Sequence, residues 1–155
     1  MLGTLIVDGG LSGRTATGWT VIEHVGRHVI TSALDLGNGS WELGIGTDAW
    51  RATDLTYERG VQGLKVDLDA SDEVGTLYTI ESNTVNTLTI ATTDDLSGVV
   101  GQELVGVHEF KELIVRNGAK VDFVGNRLDV TDLFDSLITA DSVIQNQDSL
   151  GNFPF

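Results

Sequence analysis

The sequence predicts an all-β protein whose later residues wind as a solenoid, with a small β-sandwich as the alternative architecture. Three observations point there. Gly is abundant at 19 residues while Pro occurs once, and β-branched residues recur between these turn formers, the mixture that builds many short strands joined by tight turns. Apolar and polar residues alternate with the two-residue period of a strand. No long run keeps a helical period without a Gly interrupting it; a short helix over Thr131–Leu137, capped by Thr131 or Asp132, is the one helical expectation.

Taken in order, residues 1–59 read as N-terminal β coils. Apolar patches lie at Leu2–Val7, Trp19–Ile22 and Val29–Leu36, divided by Gly9-Gly10, Gly13, Gly18 and Gly26. An aromatic-rich loop, "GNGSWELGIGTDAWRATDLTYER", follows. Residues 60–108 alternate most cleanly, in "LKVDLD", "LYTIESNTVNTLTI" and "ELVGVH", so one face is buried and one wet. Tyr78/Ile80 and Leu88/Ile90 flank a polar turn and read as paired strands. Residues 109–155 hold further coils and a C-terminal tail.

The stretch "ELIVRNGAKVDFVGNRLDVTD" separates the architectures. A hairpin closed by Asn117-Gly118 would pair Val115 with Lys120, Ile114 with Val121 and Leu113 with Asp122. Directly paired residues share a face, so each face would be mixed. Asn-Gly and Gly-Asn acting as corners, which accept a positive φ cheaply, instead let Leu113, Val115, Val121, Phe123, Leu128 and Val130 all point inward. Lys120, Asp122, Arg127 and Asp129 then point outward. A winding of about 20 residues fits solenoid repeats, each stacking on the next winding rather than on its sequence neighbour. The sandwich has the same composition and strand density.

"FKELIVRNGAKVDFVGNRLDVTD" resembles the coils of right-handed parallel β-helices in very large bacterial surface and adhesin-like proteins. "GTLYTIESNTVNTLTIATTDDLSGVVGQELVGVHEF" is similar to a β-hairpin module inserted before such coils. The likeness covers residues 60–145 and implies a right-handed parallel β-helix with an inserted hairpin module. It further implies an extracellular or cell-surface structural role, non-enzymatic, in contact with neighbouring repeats or identical copies.

The net charge is −14. Such a surface repels nucleic-acid phosphates and anionic lipid, so neither is an expected partner, while it suits a secreted protein or bound Ca²⁺. The N-terminus has no basic region followed by an apolar run, so no leader or membrane insertion is expected within it. Without cysteines the compartment stays open, cytoplasm included. A piece of a larger exported protein is the favoured reading.

Candidate chemistry is sparse. Asp67, Asp69, Asp72 and Glu73 in "DLDASDE" offer oxygen ligands for Ca²⁺, but Asp72 stands where an EF-hand loop needs Gly, and an ordinary turn explains them. Trp41, Trp50 and Tyr57 form a candidate stacking platform for a glycan, against the commoner use of aromatics in a core. Asp94, Asp95 and Asp129 are the carboxylates a polysaccharide-cleaving enzyme would use, against a solvated acidic face. His24 and His28, with Glu23 or His108, are a loose metal set. No nucleophile elbow, phosphate loop or dinucleotide fingerprint occurs. Asn38-Gly39-Ser40 is the single N-glycosylation sequon.

Overall fold

The computed structural model describes residues 3–8, 20–21, 25–50, 60–72, 75–131, 137–139 and 142–145. In chain order the early strands are β1 (Thr4–Asp8), β2 (Thr20–Val21), β3 (Arg27–Val29), β4 (Ser32–Asp35) and β5 (Ser40–Gly44). Next come β6 (Lys65–Asp67), β7 (Leu77–Asn83), β8 (Thr87–Ala91), a 3₁₀ turn (Ser97–Val99) and β9 (Glu103–Phe110). The last are β10 (Glu112–Arg116), β11 (Lys120–Asp122), β12 (Arg127–Val130), β13 (Leu137–Ile138) and β14 (Val143–Gln145). The described chain is therefore all-β. The helix expected over 131–137 falls mainly on 132–136, outside the described residues, and Leu137 begins a strand.

Two compact units divide the chain: Met1–His24 with His108–Phe155, and Val25–Val107. In the first, β1, β10 and β13 pair in parallel, and so do β2, β11 and β14. β10 lies between β1 and β13, pairing Leu5 with Leu113, Val7 with Val115 and Ile114 with Leu137. β11 lies between β2 and β14, pairing Val121 with Thr20 and with Ile144. β10 and β11 do not pair with each other, so the Asn117-Gly118 step is a corner and not a hairpin turn. The backbone shows why. Asn117 (φ 55°) and Gly118 (φ 71°) both take the left-handed conformation, as do Val124 (φ 53°) and Gly125 (φ 81°) at the next bend. Consecutive left-handed residues turn the strand sharply.

Of the residues expected to point inward, Leu113, Val115, Val121, Phe123 and Leu128 share one buried cluster, which Val7 and Ala119 join, with Val130 partly buried against it. At ~1.5–3 kcal/mol for each large apolar side chain removed from water, burial of this cluster is a large stabilising contribution to the unit. Arg127 departs from the expectation: it is 3% exposed, not outward. Its guanidinium meets Asp129 (Nε to Oδ1 3.2 Å, Nη2 to Oδ2 3.4 Å), which lets a long charged side chain lie buried beside the bend. Neighbouring Asn126, fully buried, donates from Nδ2 to the Phe123 carbonyl at 2.6 Å.

Among the described residues the strand pairings of the second unit are all antiparallel. Its ladder runs β3-β9-β6-β7-β8-β5-β4. Only Ile30 and Thr31 separate β3 from β4, and there the chain changes partner. Ile30 N donates to Gln102 O and Thr31 N to Gly44 O, both at 2.8 Å. The ladder thereby returns on itself around a core that includes Ile30, Leu43, Val66, Ile80, Leu88, Ile90 and Leu104. These antiparallel pairings are the kind that the sandwich alternative requires. β7 and β8 form the expected hairpin around "ESNTVN". β3, β4 and β5 lie in residues 1–59, read as coils with an aromatic-rich loop from the sequence, and they pair antiparallel with β9, β5 and β8 respectively. Gly106 N donates to Gly26 O at 2.8 Å, so the two ends of the unit leave it side by side.

Candidate functional site

The acidic turn after β6 is built from the backbone outward. Asp67 Oδ1 accepts from Asp69 N at 2.9 Å, and Asp69 Oδ1 accepts from Ser71 N at 3.1 Å and Ser71 Oγ at 2.5 Å. Each carboxylate closes a turn two residues on, the local use that favours Asp in loops. Asp67 is buried, Asp69 half-buried and Asp72 exposed, while Glu73 lies outside the described residues. Among the described residues no group of three or more His, Asp or Glu side chains converges to hold a metal ion.

Of the three aromatic residues, Trp50 is core. It is 9% exposed, its indole Nε1 donates to Val25 O at 2.8 Å, and its ring meets the His28 ring edge-on at 5.3 Å. Trp50 therefore offers no open face on which a sugar could stack. Trp41, on β5 opposite Asp35 and Ile90, is half-buried and packs on the same core. Tyr57 lies outside the described residues.

His28 Nε2 also reaches Val25 O, at 3.0 Å, and donates to it, since a carbonyl only accepts. Burial holds its pKa below the ordinary 6.5, partly offset by that hydrogen bond and by Glu103. The neutral ring is thus favoured in the fold. Its contribution to stability is present above pH 6.5 and declines as pH falls through the lower folded value. His24 and Glu23 lie outside the described residues. His108 belongs to the other unit, stacked on Phe110 (5.7 Å, 10°) and edge-on to Phe123 (6.1 Å).

The three carboxylates considered for glycan cleavage are each engaged locally. Asp94 accepts from the Tyr78 hydroxyl at 2.8 Å. Burial, then this hydrogen bond and the Asp94 charge, push the Tyr78 phenol up to about 12. Asp95 accepts from Ser97 N at 2.9 Å, which lowers its pKa. Asp129 holds Arg127. Asp94 and Asp95 lie in the 25–107 unit and Asp129 in the other.

Sequence reasoning missed the Tyr78–Asp94 pair and the double use of the Val25 carbonyl. Neither has a local signature, because the partners stand 16 and 25 residues apart. Chemically, the described side chains supply hydrogen-bond acceptors spent on turns and one phenol held neutral. No family model matches the chain, and no curated protein or solved structure matches it. No helix among the described residues is long and apolar enough to cross a membrane.

Proposed function

We propose that the chain is a non-enzymatic structural segment of a large secreted or surface-attached protein of the bacterial adhesin-like kind. In this reading it is a right-handed parallel β-helix that stacks on neighbouring repeats or identical copies. Residues 25–107 interrupt it in sequence as an inserted antiparallel domain. The observation that carries the proposal is an equal step in two neighbouring ladders: 23 residues separate Ile114 from its partner Leu137, and 23 separate Lys120 from Val143. Equal steps in two successive parallel ladders are what one repeated winding produces.

A winding cannot bury its apolar face alone, so stacking is the work such a unit does. An insertion is tolerated in it because the two ends of residues 25–107 lie side by side. Light scattering across a concentration series tests the proposal. Elongated particles that grow in multiples of the 16.6 kDa chain are expected. A compact monomer at every concentration would count against stacking.

A further inference from the structure

The sequence contains two Asn-Gly steps, Asn38-Gly39 and Asn117-Gly118, and the fold treats them oppositely. Asn38 and Gly39 form the exposed tip of the β4–β5 hairpin, closed by Leu36 N donating to Ser40 O at 3.0 Å. Among the described residues the Asn38 side chain and the Gly39 N–H have no hydrogen-bond partner. A Cβ built on Gly39 would meet nothing within 4 Å. Thr92 N donates to Gly39 O at 3.0 Å and Gly37 N to Asp35 Oδ1 at 2.8 Å, and neither bond engages the two reacting groups. At the second step Gly118 is buried, and Asn117 Nδ2 donates to Asp8 Oδ1 at 2.9 Å.

We propose that Asn38-Gly39 is a site of spontaneous, self-catalysed backbone modification, and that the fold protects Asn117-Gly118 from the same chemistry. The Gly39 nitrogen attacks Asn38 Cγ. The new N–C bond forms as the Cγ–Nδ2 bond breaks, and the Gly39 amide proton leaves with the side-chain NH₂ as ammonia. The cyclic imide that remains takes up one water and opens to aspartate or isoaspartate. No oxidant or reductant enters. Glycine makes the attack possible because no side chain shields its nitrogen. The product adds one negative charge to a chain already at −14. The isoaspartate form also inserts a methylene into the backbone of the turn, loosening its closure.

The wild-type chain carries its own control. It is aged at mildly alkaline pH and physiological temperature, and both steps are followed by peptide mass mapping and by enzymatic methylation of isoaspartate. Native protein should modify at Asn38 at least about tenfold faster than at Asn117, since the protected site must first open locally. In denaturant the two rates should converge. Equal or faster reaction at Asn117 in the native chain overturns the proposal, as does an inert Asn38. Gly39→Ala should suppress product at Asn38 and leave Asn117 unchanged; undiminished product at Asn38 would rule out attack by the Gly39 nitrogen.

Discussion

A disulfide between positions 6 and 114 would test the parallel register directly. Ile6 and Ile114 are partners in the β1–β10 ladder, and Ile6 is 52% exposed. Adjacent strands stand about 4.8 Å apart, inside the roughly 4.4–6.8 Å Cα window of a disulfide. The chain has no cysteine, so Ile6→Cys with Ile114→Cys can form only one intramolecular bond, and non-reducing gels separate it from bonds between copies. The pair spans the same 108 residues as Thr4 and Glu112. Loop-closure entropy for a loop of about 100 residues is worth ~4.7 kcal/mol, and strain in a directly opposed parallel pair brings the expected gain to about 2–4 kcal/mol. At a urea slope of about 2 kcal/mol/M the oxidised midpoint should rise by roughly 1–2 M and fall back on reduction. Ile114→Cys with Val121→Cys is the opposing control, because a hairpin through Asn117-Gly118 would set those two side by side. Efficient oxidation of the control, with none in the test pair, would refute the parallel account.

Three further outcomes follow from particular contacts. Tyr78, with its pKa raised from 10.0 to about 12, contributes stability that is complete below pH 10 and is lost as pH rises through about 12. Asp94→Asn should bring its ultraviolet titration back toward the ordinary value, and an unchanged titration would remove Asp94 as a cause. Asp129→Asn should cost about 1–2 kcal/mol in denaturant unfolding, less than the 3–5 of a fully buried pair because water screens the carboxylate; its side chain is 40% exposed while that of Arg127 is 4% exposed. Adding Arg127→Met should recover most of the loss. Val124 sits exposed at φ 53°, so Val124→Gly should gain roughly 0.5–1 kcal/mol, the relief of left-handed strain less the added chain entropy. A loss would show that the Val124 side chain is holding the bend.

Much of the first unit was legible residue by residue. Alternation placed Leu113, Val115, Val121, Phe123 and Leu128 on one face, and they share one buried cluster. It misplaced Arg127 because the two-residue period fails beside a bend, where Arg127 and Leu128 are buried in succession. Trp50 gave no local warning: its neighbours Asp48, Ala49 and Arg51 look like a loop, and its burial depends on the carbonyl of Val25. In the second unit alternation announced β7 and β8 but could not show that β3 and β4 belong to the same ladder.

Which side chains turn inward is a local property, written in the chain by the pleat, and so are the corners, which need residues that accept a positive φ. Which strands lie together is not local. Every backbone offers the same N–H and C=O, so nothing in the composition of β1 names β10 as its parallel neighbour or sets β5 antiparallel to β8. That choice was made by packing across the whole chain, where Leu5 and Val7 meet Leu113 and Val115 and close one interior.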